Sequence, residues 1–117
     1  MTTWDDRSPL YQQLADRLAT GLLDGQPPEG QAMPSVRTLA SQHLLNPLTV
    51  SRALQSLADA GLIEPRRGQG LYVLPGAHAR LRDLERRRFL DLEWLRLRER
   101  LHRLGLGPQD LSWEQPR

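Results

Sequence analysis

Residues 33–61 read MPSVRTLASQHLLNPLTVSRALQSLADAG, and the fold turns on them. Two short helices in tandem are written into this stretch. Ser35 supplies a side-chain acceptor for the orphan amides of a first turn, and Val36, Leu39 and Ala40 then share one face. That helix runs out around His43-Leu44-Leu45. Asn46-Pro47 starts a second helix by the same capping logic, with proline tolerated in the first turn. Its inward residues are Val50, Ala53, Leu54, Leu57 and Ala58, and Gly61 stops it as a C-terminal cap.

On the N-terminal side, Ser8-Pro9 signals another helix start. Leu10, Leu14, Leu18 and Leu22 recur at every fourth position, as an amphipathic helix ending near Gly25 requires. Gln26-Pro27-Pro28-Glu29-Gly30 is a turn by composition, and Gln31 to Met33 form a short extended stretch ahead of Pro34. Leu10, Tyr11, Leu14, Leu39 and Leu54 are expected in the core. On the C-terminal side, Leu62-Ile63-Glu64 and Leu71-Tyr72-Val73-Leu74 are β-prone runs. Arg66-Arg67-Gly68-Gln69-Gly70 joins them, predicting a hairpin with a basic tip. Pro75-Gly76 marks the boundary between a domain at residues 1–75 and a tail at 76–117.

From Ala77 to Leu104 there is no Gly or Pro, so the tail should be one long helix or two abutting ones. Projected at about 100° per residue, Leu81, Leu84, Leu92 and Leu95 fall on one side. Leu90, Trp94, Leu97, Leu101 and Leu104 fall nearly opposite. A lone solvated helix would not carry both stripes. The tail therefore needs two burial surfaces: Leu81 and Leu84 near the junction, and Leu90, Trp94, Leu97 and Leu101 against a second copy of the chain. A helical hairpin folded on its own domain is the alternative.

The composition narrows the class. The chain has 117 residues, 38% hydrophobic and 26% charged, which suits a folded globular domain. Cysteine is absent, which excludes disulfides, thiolate metal sites and cysteine nucleophiles. No apolar run reaches the length of a membrane span and no leader opens the chain, so the expected compartment is the cytoplasm. All 16 basic residues are arginine. The balance is −1 through Ala77 and +3 beyond it, within a net +2. Nucleic-acid binding by the front part would thus rest on a few placed arginines rather than a global field. His43, His78 and His102 lack paired-ligand spacing, so no metal is expected. No nucleophile or acid–base constellation is present, and the chain reads as no enzyme needing no cofactor.

The order of elements is that of a winged helix-turn-helix: mainly α with a small β-hairpin, followed by a C-terminal helical dimerisation extension. In that architecture the second helix of the pair fits the major groove, where base edges carry a readable code, while the first helix and wing hold phosphates. Winged helices also serve as protein-interaction modules. Clustering of Arg37, Arg52, Arg66 and Arg67 on one surface would favour DNA.

Particular motifs go further. Ser8-Pro9-Leu10-Tyr11-Gln12-Gln13-Leu14 and Met33-Pro34-Ser35-Val36-Arg37-Thr38-Leu39-Ala40 resemble the opening and second-helix signatures of the GntR family of bacterial transcription regulators. Asn46-Pro47-Leu48-Thr49-Val50-Ser51-Arg52-Ala53-Leu54 resembles its recognition helix. Ala60-Gly61-Leu62-Ile63 and Arg67-Gly68-Gln69-Gly70-Leu71-Tyr72-Val73 resemble its wing. The short tail, and Leu104-Gly105-Leu106 with Asp110-Leu111, are similar to the short YtrA-type branch, in which helices that pair two chains replace a large effector domain.

The resemblance implies a dimeric repressor that binds a palindromic operator in double-stranded DNA. It assigns DNA contacts to Ser35 and Arg37 at the start of the second helix. Asn46, Leu48, Thr49, Ser51 and Arg52 belong to the recognition helix or its approach, and Arg66, Arg67, Gly68, Gln69 and Gly70 to the wing tip. A small-molecule effector is compatible with it, although no room remains for a dedicated ligand domain. Pro47 stands where many members have arginine, and Leu48 is apolar where a hydrogen-bonding residue is frequent, so a thymine methyl becomes its natural target. Each residue has a second reading. Arg37 could pair with Asp59 or Glu64, Arg52 could turn to the helical scaffold, and the hydroxyls of Thr49 and Ser51 could bond back to their own helix.

Overall fold

The computed structural model describes residues 4–114 and divides the chain into two compact units, Met1–Arg82 and Asp83–Arg117. In the first unit, helix α1 spans Leu10–Leu23, α2 Val36–His43 and α3 Pro47–Asp59. Strands β1 (Ile63–Arg66) and β2 (Gly70–Val73) follow as an antiparallel hairpin in the register Ile63↔Val73 through Arg66↔Gly70. This is the winged helix-turn-helix order.

The caps are local and explain the boundaries. Ser35 Oγ accepts the Thr38 amide at 3.1 Å, and Asn46 Oδ1 accepts the Leu48 amide at 2.8 Å. Each satisfies an amide that has no partner inside its helix. At the end of α3, Gly61 takes φ +77 and the Leu62 amide reaches back to the Leu57 carbonyl. Glycine is favoured there because a side chain is costly in the left-handed region. Between α2 and α3, Leu44 holds a left-handed conformation (φ 55, ψ 47) without being glycine.

The start of α1 departs from expectation. Pro9, not Ser8, is the residue before the helix, and no side chain caps it. The Gln13 side chain does related work, donating to the Asp5 and Ser8 carbonyls and accepting the Asp5 amide. Leu10 also lies outside the core, 41% exposed. An every-fourth spacing drifts about 40° per step around a helix, so a stripe centred on Leu14, Leu18 and Leu22 carries Leu10 off its edge. Ala15 and Ala19 complete the buried face instead.

The core gathers Leu14, Leu22, Leu39, Val50, Leu54, Leu57, Leu62, Ile63 and Val73, with Ala53 beneath α3. Burying each large aliphatic side chain is worth about 1.5–3 kcal/mol, which holds α1, α2, α3 and the hairpin as one body. The segment before α2 joins the hairpin: the Met33 amide donates to the Leu71 carbonyl at 2.7 Å, and Ala32 bridges Tyr72. Ala77 and Leu81, beyond Pro75-Gly76, are also buried in this core. The Glu29 carboxylate accepts the Gly76 amide at 2.8 Å and the His78 amide at 3.0 Å. His78 Nε2 lies 2.8 Å from the Leu23 carbonyl oxygen.

Helix α4 spans Ala77–Arg88, a π-helical segment Phe89–Glu93 follows, and α5 spans Trp94–Arg103. A π turn holds one residue more than an α turn. Positions after Glu93 are therefore set back by about 100° from where an unbroken α-helix would carry them. The projection of the tail as a single α-helix fails at this point. Within the second unit, Gly105 (φ +69) ends α5, and the Leu106 amide bonds to the Leu101 carbonyl at 2.9 Å. A single 3-10 turn, Pro108–Asp110, comes next.

Candidate nucleic-acid interface

The residues assigned to the interface sit on α2, α3 and the hairpin, and the structure gives them three different conditions. Ser35 and Asn46 spend their side-chain acceptors on capping. Ser35 Oγ also donates to Thr38 Oγ1 at 2.9 Å. These two side chains aim the first turns of α2 and α3. That is a positioning task, and helix N-termini with their unsatisfied amides suit anionic partners.

A second group stands open. Arg37, in the first turn of α2, is exposed, and among the described residues neither Asp59 nor Glu64 pairs with it. Asp59 instead accepts from Gln55 Nε2 at 2.9 Å. Leu48 is 74% exposed in the first turn of α3, a poor place for an aliphatic side chain unless something apolar covers it. Thr49 is half-buried and Ser51 exposed, and among the side-chain hydrogen bonds of the described residues, such as the Thr20 hydroxyl's to its own helix, neither Thr49 nor Ser51 takes part. Ser51 lines a cavity of about 310 Å³ with Val36, Leu54, Gln55, Ala58, Pro65 and Leu71. At the wing tip Arg67, Gly68, Gln69 and Gly70 are all exposed. Gly68 (φ +72) and Gly70 (φ +84) supply the left-handed residues of the turn, and the Gln69 amide donates to the Arg66 carbonyl.

The third group is stacked. The Arg52 guanidinium lies over the Tyr11 ring, 4.2 Å from its centroid, and the Arg66 guanidinium lies over Tyr72 at 4.3 Å. Arg52 thus does turn toward the helical scaffold in the free chain. Tyr11, expected in the core, has a second role. It is half-buried, packed against the core with one ring face under Arg52. For Tyr72 a signal was available, since the hairpin register puts it on the same face as Arg66.

The side chains proposed for pairing lie in the second unit. Leu90 and Leu97 are 53% and 45% exposed, while Trp94 and Leu101 are half-buried. Trp94 and Leu101 line a groove of about 200 Å³ with Leu106, Pro108 and Leu111, where the chain turns back after Gly105. Leu81 is buried in the first unit, and Leu84 is 44% exposed. No group of three or more His, Asp or Glu that could hold a metal gathers among the described residues. No helix among them is long and apolar enough to cross a membrane.

Three helices, a wing and open arginines on α2 and the hairpin define a winged helix-turn-helix unit. The chain belongs to the gntR family of bacterial regulatory proteins, whose profile matches residues 10–73. It is 39% identical over 79 residues to the HTH-type transcriptional repressor YtrA of Bacillus subtilis, covering 66% of this chain and 61% of that protein. The matched stretch therefore spans less than two thirds of the curated relative. Among solved structures, a GntR family transcriptional regulator from Listeria monocytogenes superposes with a TM-score of 0.74 at 29% identity, covering 91% of each chain. YtrA from Sulfolobus acidocaldarius, a GntR-family transcription factor, gives 0.57 at 29% identity over 74% of this chain and 92% of that one.

Proposed function

We propose that this chain is a sequence-specific DNA-binding transcription regulator, acting in the cytoplasm as a homodimeric repressor on a palindromic operator. The observation that carries the reading is the set of exposed side chains on α2, α3 and the hairpin of the gntR-family unit. Arg37 is exposed and has no ion-pair partner among the described residues, Leu48 is bare at the start of α3, and Arg67 at the wing tip is exposed. α3 reads base edges in the major groove, with Leu48 against a thymine methyl and Ser51 and Arg52 beside it. Arg37, Arg66 and Arg67 hold phosphate or the narrow minor groove.

Repression is supported by the Bacillus relative, which is a transcriptional repressor. Pairing is supported by the apolar side chains left open in the second unit, and by the match between two-fold protein symmetry and a palindromic site. The test is fluorescence anisotropy on duplexes tiled from the region upstream of the protein's own gene, against random duplex. Specific binding at one tile is expected. Arg37→Ala should weaken it by about 1–3 kcal/mol. Equal affinity for every tile, or a folded Arg37→Ala that binds as the parent does, overturns the reading.

A further inference from the structure

Both tyrosines of this chain carry an arginine of the proposed DNA face. The pair formed by Tyr11 and Arg52 joins separate elements. Tyr11 belongs to the first turns of α1 and Arg52 to α3, so only the packing of α1 on α3 brings them together. The ring is half-buried and held against the core, whereas Arg52 is exposed. The ring is therefore the fixed partner and the guanidinium the mobile one.

Stacking engages only the flat face of a guanidinium. Its five N–H donors lie in the plane and remain available to a phosphate or a base edge. A free arginine loses most of its rotamer freedom on docking; one already laid on a ring has lost much of it beforehand. The contact that turns Arg52 toward the scaffold is thus compatible with binding and prepares it.

We propose that Tyr11 is a positioning residue for Arg52, holding its guanidinium so that the in-plane donors face the nucleic acid. This inference rests on the reading that α3 meets DNA. The wing repeats the device. With Arg66 opposite Gly70, Tyr72 is the diagonal neighbour on the same face, and the Arg66 guanidinium covers it at 4.3 Å. Among the described residues, no aromatic ring lies under Arg37 or Arg67.

The experiment is a double-mutant cycle on full-length protein, using the upstream duplex that binds specifically and a random duplex as control. Tyr11→Leu should weaken specific binding about three- to tenfold, the cost of immobilising one rotamer-rich side chain on docking, and Tyr11→Phe should recover the loss. With Arg52→Ala as background, Tyr11→Leu should cost nothing more, whereas a merely structural role would cost the same in both backgrounds. If Arg52→Ala itself leaves specific binding unchanged, the assignment of Arg52 to the DNA face has failed, and the positioning role with it. If Arg52→Ala weakens binding but Tyr11→Leu does not, the positioning role alone is overturned. A second measurement covers a Tyr11→Leu variant that fails to fold. In wild-type protein the Arg52 side-chain protons should be shifted upfield by the Tyr11 ring, both free and bound to the duplex. Loss of that shift on binding means the stack is released, which refutes positioning.

Discussion

Replacing Leu90 and Leu97 together by Glu should convert the proposed homodimer into monomers without disturbing the fold of either unit. The two side chains are 53% and 45% exposed, so carboxylates at these positions remain solvated in a single chain. A fully buried leucine is worth about 1.5–3 kcal/mol, and roughly half of that, about 1 kcal/mol, is still unrealised at each position. In an isologous interface every residue counts twice, which brings the lost burial to about 4 kcal/mol. That corresponds to about a thousandfold in the dimer dissociation constant, before the cost of desolvating four carboxylates is added. Sedimentation equilibrium over a concentration series measures it directly. The parent should run as a dimer and the double variant as a monomer, with circular dichroism unchanged and operator binding reduced to the strength of one half-site. The π-helical segment separates the helical phase of Leu97 from that of Leu90, so the pair charges the tail on two sides, and a double variant that still sediments as a tight dimer refutes pairing through either. The choice of Leu90 and Leu97 over Trp94 matters, because Trp94 lines its own chain's groove with Leu106 and Leu111, and charge there would damage the second unit itself.

Other consequences are open to simple tests. Asn46→Ala removes the cap of α3 and should cost about 1 kcal/mol, some 4–8 °C in Tm for a unit of this size, whereas Asn46→Asp keeps the acceptor and should melt near the parent. Glu29 is held below the usual carboxylate range by the amides of Gly76 and then His78, so its contact stabilises the fold at neutral pH and is lost as pH falls through the lowered value. Glu29→Gln should therefore melt below the parent at neutral pH, with the gap closing in acid; a gap independent of pH would contradict this. Leu44→Gly relieves a left-handed leucine that is 90% exposed, and should raise stability by about 1 kcal/mol in denaturant titration.

The sequence by itself determined the parts whose causes are local. Ser35, Asn46-Pro47 and Gly61 act on amides and carbonyls within a few residues of themselves, so the limits of α2 and α3 follow from chain chemistry alone. The hairpin and its tip follow likewise from two β-prone runs and well-placed glycines. The motifs at residues 33–40 and 46–54 identified the family for the same reason. Leu10 and the tail were less legible, because helical phase accumulates: a small drift per turn moved Leu10 off the core, and one wide turn at Phe89–Glu93 displaced every later position. Only the tertiary structure decided which distant side chains meet. No spacing rule links Tyr11 to Arg52, or Glu29 to the amides of Gly76 and His78, since each pair is joined by packing rather than by sequence. Hydrogen bonds across a turn are fixed by backbone geometry, but a contact between elements depends on how whole faces settle on the shared core.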